Sequence, residues 1–91
     1  MDLGLKNKTA IVLASSDGLG KAIATQFAIE GANVMLFSSS EVKLKAAADE
    51  IEILSGRRPL YCAGDLRKPE DLRRLVDETI KAYGSIYALV N

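Results

Sequence analysis

Four short apolar runs alternate with three longer amphipathic segments along a chain of 91 residues. The runs are Thr9 to Ala14, Asn33 to Phe37, Leu60 to Ala63 and Ile86 to Val90. None alternates polar with apolar positions, so each predicts a strand buried on both faces of a sheet. Between them, Lys21 to Glu30 sets Ile23, Ala24, Phe27 and Ala28 on one helical stripe, with Gly31 behind it as a C-terminal cap. Glu41 to Ser55 carries Leu44, Ala47, Ala48, Ile51 and Leu54 at helical spacing, Ser39 or Ser40 as its N-cap, and Gly56 after it. Pro69 to Tyr83 opens on proline, Glu70 and Asp71, which suit a helix N-terminus. It then shows Leu72, Leu75, Val76 and Ile80 before Gly84.

The predicted order is β-α-β-α-β-α-β. Strands separated by helices of this length pair in parallel through right-handed crossovers. The expectation is an α/β, Rossmann-type doubly wound parallel sheet, with residues 1–91 forming its first half as a single dinucleotide-binding domain. The common strand order of that fold places the fourth strand beside the first. No internal repeat, low-complexity tract or linker interrupts the pattern.

Composition narrows the function. Twelve basic and twelve acidic residues cancel, so no net field draws the chain to nucleic acid or to an anionic membrane. The runs "GRRP" and "DLRR" then read as solvated faces and loop charges. An apolar share of 48% supports a core, yet no run reaches membrane-spanning length. The opening "MDLGLKNKTA" lacks an apolar signal region. Cys62 is the only cysteine and sits in the apolar run "LYCA", where it reads as a small buried thiol rather than a nucleophile. Without histidine, a His-based triad or His-ligated zinc is excluded, and no metal site is expected. The cytoplasm is the expected compartment.

The stretch "AIVLASSDGLGKAIA" occupies the junction of the first strand and first helix. In a doubly wound sheet, the ligand crevice lies beyond the carboxyl ends of the strands. A helix N-terminus there offers unpaired N–H groups and a positive dipole end, which favour a diphosphate. Gly18 and Gly20 permit positive φ and close approach, and Ser15 and Ser16 supply hydroxyls without bulk. The spacing is neither G-x-G-x-x-G, since Ile23 fills the last slot, nor a P-loop.

"LASSDGLGKAIA" resembles the T-G-x-x-x-G-x-G turn of short-chain dehydrogenases/reductases. "GANVMLFSSS", "AGDLRKPEDLRRLV" and "YGSIYALVN" agree with that family in order and spacing. The last resembles the start of its N-N-A-G segment, reaching only the first Asn, Asn91. The likeness covers nearly the whole chain, and within the family it looks most like the 3-oxoacyl-acyl-carrier-protein reductase group. Two departures stand out: Leu13 replaces the usual Thr, and Ala14 the first Gly. Alanine fits there only with negative φ, because positive φ crowds its methyl. The turn is therefore expected to keep negative φ at Ala14.

The resemblance implies a bound nicotinamide dinucleotide. Its expected contacts are Ala14, Ser15, Ser16, Asp17, Gly18, Leu19 and Gly20 at the turn, Ser38, Ser39 and Ser40 at the second strand, Asp65 and Leu66 after the third, and Asn91. An acidic residue at Ser38 would select NAD, and none stands there. Three hydroxyls with Lys43 nearby tilt the choice to NADP. Asp17 would face its 2′-phosphate and oppose it, so NAD stays open. Asp65 matches the family's adenine-binding Asp, with Leu66 packing beside the ring.

The family moves hydride between the nicotinamide and a small carbonyl or alcohol substrate, using a Tyr-x-x-x-Lys pair. Tyr61, Tyr83 and Tyr87 are each followed four places on by a residue other than lysine, and read as packing residues. No catalytic residue is assigned. The expectation is the cofactor-holding portion of an oxidoreductase, inactive by itself, whose open final strand invites pairing. Family likeness also implies a homo-oligomer. The alternatives are a non-catalytic nucleotide-binding or redox-sensing module, and a fragment that self-associates through that edge.

Overall fold

The computed structural model describes residues 4–91. Met1 to Leu3, at the start of the "MDLGLKNKTA" opening, lie outside the described residues. In chain order the elements are β1 (Thr9–Leu13), α1 (Gly18–Ile29), β2 (Asn33–Ser38), α2 (Glu41–Ser55), β3 (Leu60–Ala63), α3 (Pro69–Tyr83) and β4 (Ala88–Val90). All strand pairs are parallel, in the order β3-β2-β1-β4. Ile11 of β1 pairs with Met35 of β2 on one side and Leu89 of β4 on the other.

This order decides which helix covers which face. The first two crossovers step outward from β1 in one direction, and the third returns to its far side. With right-handed crossovers, that reversal puts α3 on the opposite face from α1 and α2. The core divides accordingly. Val12, Val34 and Leu36 pack with Ala24 and Ala28 of α1 and with Leu44, Ala47, Ala48 and Ile51 of α2. Their neighbours Ile11, Leu13, Met35, Phe37 and Cys62 point the other way, against Leu75 of α3. Small alanines on α1 and α2 let both helices lie close to the sheet and to each other.

The chemistry of each terminus stops its helix. Gly56 and Gly84 take left-handed φ of 77° and 86° and donate their N–H groups to Glu52 and Ile80. Gly31 (φ 90°) plays the same part just after α1, where its N–H reaches the Ala28 carbonyl. Ser40, one of the two expected caps, accepts from the Lys43 N–H at 3.2 Å.

Several expectations change. β1 is buried throughout and β2 along its middle, whereas Leu60 of β3 and Leu89 of β4 are exposed. Apolar composition does not distinguish a central strand from an edge. Leu54, Leu72 and Ile80 of the helical stripes are exposed as well. In their place α3 buries Thr79, whose hydroxyl donates to the Leu75 carbonyl at 2.7 Å. α1 begins at Gly18, three residues ahead of Lys21, because the poor helix propensity of glycine conceals its first turn.

The charged run "GRRP" is more than a solvated face. Arg57 Nη2 donates to Asn33 Oδ1 at 2.8 Å, and Arg58 Nη1 reaches Asp49 at 2.7 Å and Glu52 at 3.1 Å. They tie the approach to β3 to β2 and α2, although exposed ion pairs of this kind add little to stability. Among the tyrosines, Tyr61 packs against the first cluster and Tyr83 donates to the Val34 carbonyl at 3.2 Å. Tyr87 is not a packing residue. It lies exposed, with Lys8 Nζ 5.0 Å from its ring centre.

Leu36→Ala removes a fully buried side chain from the central strand pair and is expected to destabilise the fold by about 2–5 kcal/mol in urea unfolding. Val42→Ala, on the exposed face of α2, is expected to change stability by less than about 0.5 kcal/mol. Equal effects of the two would contradict this assignment of the core.

Candidate functional site

At the end of β1 the chain turns over a residue with a left-handed backbone. Ala14 has φ 52°, contrary to the negative φ expected of an alanine there. Two neighbours enforce it. The Ser15 N–H donates to the Phe37 carbonyl at 3.1 Å, and its hydroxyl accepts from the Phe37 N–H at 2.9 Å while donating to the Val12 carbonyl at 2.7 Å. Ser15 is fully buried, so its hydroxyl prolongs the β1–β2 ladder instead of facing a ligand. The left-handed turn at Ala14 delivers Ser15 to that position two residues after β1 ends.

The two glycines have separate reasons. Gly18 has φ 60° with open space around it, so its need is conformational. Gly20 lies so close to the end of β1 that a methyl would overlap the Ala14 carbonyl oxygen and stand 2.9 Å from its carbon. Its glycine brings the first turn of α1 against the strand. Asp17 is the N-cap of α1, yet its side chain makes no capping bond, and no acidic residue follows in the first turn. α2 has Ser40 and Glu41 at its start, and α3 has Pro69, Glu70 and Asp71. The N–H groups that begin α1 are left without such a partner.

A crevice of about 510 Å³ opens over the carboxyl ends of β1, β2 and β3. It is lined by Ala14, Ser16 and Asp17 from the first junction, Ser38, Ser39, Ser40 and Lys43 from the second, and Gly64, Asp65, Leu66 and Arg67 from the third. Eight of the thirteen expected contact residues therefore meet on one surface. Gly18, Leu19 and Gly20 form the adjoining helix start, with Leu19 76% exposed. Asn91 follows directly on the Val12–Val90 pair, at the same end of the sheet but outside the lining. Ser15 is the one placed within the protein.

The crevice charges are paired. Lys43 Nζ lies 3.7 Å from Asp17 Oδ2, both largely exposed. Arg67 grips Asp65 by its own N–H at 2.9 Å and by Nε and Nη2 at 2.9–3.2 Å. The guanidinium and that N–H hold the Asp65 carboxyl down at about 2. A carboxylate offers about four acceptor positions, so Asp65 keeps capacity for a further donor. The Ser38 hydroxyl accepts from the Ser40 N–H at 3.3 Å.

Gly64 and Arg67 escaped the sequence reading. The glycine had a visible signal, since a strand ends immediately before it. The Arg67 pairing had none beyond proximity to Asp65. A smaller cavity of about 250 Å³, at the amino ends of the strands, is lined by Arg57, Arg58 and Tyr83 with apolar walls. It shares no residue with the glycine turn. Among the described residues no group of acidic or cysteine side chains is arranged to hold a metal, and no helix is long and apolar enough to cross a membrane.

Residues 8–91 match the family model described as short chain dehydrogenase. Glucose 1-dehydrogenase of Gluconobacter oxydans (strain 621H) is 41% identical over 83 residues, which are 91% of this chain and 31% of the relative. The 11-beta-hydroxysteroid dehydrogenase of Pinus massoniana is 36% identical over 87 residues, 96% of this chain and 24% of that protein. L-Sorbose reductase from Gluconobacter frateurii, solved with NADPH and L-sorbose, superposes with a TM-score of 0.94 at 36% identity, covering 100% of this chain and 35% of that one. The chain thus spans about a quarter to a third of the length of these proteins.

Ala14→Gly is expected to stabilise the fold by about 1 kcal/mol in urea unfolding, since it relieves left-handed strain. Alanine-to-glycine changes ordinarily destabilise, so the sign itself is the check. Gly20→Ala is expected to destabilise. For Asp65, the folded value of about 2 lies below the ordinary value of about 3.9. Its pairing therefore stabilises fully above the ordinary value and is lost as pH falls through about 2. Arg67→Ala is expected to move the Asp65 midpoint upward in an NMR carboxyl titration, and an unchanged midpoint would refute the pairing.

Proposed function

The chain belongs to the short-chain dehydrogenase family, and on that premise we propose that its crevice holds the adenosine diphosphate portion of a nicotinamide dinucleotide. The parent activity in this reading is oxidoreduction, with hydride passing between that cofactor and a small carbonyl or alcohol. The observation that carries it is the convergence of three strand ends on one crevice beside an uncapped helix start. The solved L-sorbose reductase, which shares the fold, contains NADPH.

The residues divide the ligand between them. The N–H groups at the start of α1, beside Ser16, receive the diphosphate, where the helix dipole favours negative charge. Ser38, Ser39, Ser40 and Lys43 meet the adenosine ribose, and Asp65 with Leu66 meets adenine. Asn91 stands at the β4 end, where the cofactor continues toward its nicotinamide. When bound, the nicotinamide supplies or accepts the hydride. The chain's own work is to bind, orient and stiffen the other half. Residues 1–91 act as one dinucleotide-binding domain, and the chain by itself has no turnover.

NADP is the proposed preference. Four hydrogen-bonding side chains stand where an NAD enzyme places a carboxylate, and the Asp17 charge is offset by Lys43. A 3-oxoacyl thioester is the proposed substrate class, in keeping with the resemblance to that reductase group. Assembly as a homo-oligomer in the cytoplasm completes the reading.

Titration of the purified chain with NADPH and with NADH, followed by nucleotide fluorescence, tests it. Saturable binding is expected, tighter for NADPH. Lys43→Ala should lower NADPH affinity about tenfold with little effect on NADH, and Asp17→Asn should raise it several-fold at low salt. Saturation by neither nucleotide, with the chain folded, would sink the proposal.

A further inference from the structure

The "DLRR" segment opens α3 outside the crevice, yet two of its side chains hold the crevice wall. Asp71 Oδ2 accepts from the Asp65 N–H at 2.9 Å. Arg74 Nη2 donates to the Ala63 carbonyl at 2.8 Å and lies 3.4 Å from Asp71 Oδ1, while its Nη1 is 3.1 Å from Cys62 Sγ. Gly64 is pressed into this clamp. A methyl there would stand 3.1 Å from both Asp71 Oδ2 and Arg74 Nη2, and 3.0 Å from the Phe37 ring. The charged run expected to be a solvated face thus fixes the main chain from Cys62 to Asp65.

We propose that Asp71 and Arg74 are positioning residues for adenine recognition, acting through the Ala63–Asp65 backbone that they hold. The proposal rests on the dinucleotide reading above. Neither residue lines the crevice, so neither touches the ligand. Their effect is on direction. With its N–H turned to α3, Asp65 presents its carboxylate to the crevice, where Arg67 steadies it and an exocyclic amine can donate to it. Loss of Asp71 would orphan that N–H, and the turn would rotate to satisfy it with water, taking the carboxylate along.

The exocyclic amine supplies the test. The chain is titrated with NADPH and with its hypoxanthine analogue, which replaces that amine by a carbonyl and turns ring N1 from an acceptor into a donor. The wild-type chain should favour NADPH about tenfold, as one charge-assisted hydrogen bond provides. Asp71→Ala should bring the ratio near one while affinity for the hypoxanthine analogue stays within about twofold, a selectivity that general loosening would not give. Asp71→Asn, which keeps an acceptor oxygen, should restore most of the ratio. Arg74→Met leaves Asp71 in place and should narrow the ratio too, which gives a second reading if Asp71→Ala does not fold. In parallel, amide exchange at Asp65 should quicken in Asp71→Ala while the amides of β1 and β2 stay protected.

A full wild-type ratio in folded Asp71→Ala and Arg74→Met, or equal weakening of both nucleotides, would overturn the proposal alone. Binding of neither nucleotide by the folded wild-type chain would overturn the dinucleotide reading, and this proposal with it.

Discussion

The approach of the first turn of α1 to the end of β1, at the contact between Gly20 and the Ala14 carbonyl, is the constraint on which the crevice depends. Any side chain at Gly20 would lift the helix start from the strand. The left-handed Ala14 and the buried Ser15 follow from the same demand. The chain has to leave β1, make two bonds to Phe37 of β2 and enter the helix within four residues. Ala14 bears strain so that Ser15 can close the sheet beneath the crevice.

Electrostatics around the opening follow one logic. Each charge facing the crevice has a partner: Asp17 with Lys43, and Asp65 with Arg67. The helix start has none among the side chains that would ordinarily cap it. The surface is therefore balanced in charge except at the start of α1, where the proposed diphosphate would sit. Behind this surface, Asp71 and Arg74 hold the third junction as Ser15 holds the first. Both devices bind main-chain groups, which frees the exposed side chains to face outward.

The helices over 41–55 and 69–83 were legible in the sequence residue by residue, because apolar spacing and terminal glycines act locally. The glycine turn and the serines around the end of β2 were legible as a candidate site, and most of the residues named there line the crevice. Ser15 and Ala14 were not, since their roles come from Phe37, on a different strand. The ion pairs of Arg57, Arg58 and Arg74 were hidden for the same reason. Charge spacing along a chain does not say which backbone carbonyl or carboxylate a guanidinium will meet.

By itself the sequence determined the alternation of strands and helices, the glycines that end the helices, and the place of the glycine turn at the first strand–helix junction. All are consequences of backbone and side-chain preferences acting within a few residues. Only the tertiary structure decided which strands are central and which are edges, which exposed leucines stay uncovered, and why Ala14 accepts a left-handed backbone. Those outcomes depend on where distant segments meet, where the gain from sheet pairing and burial exceeds the local preference of a single residue.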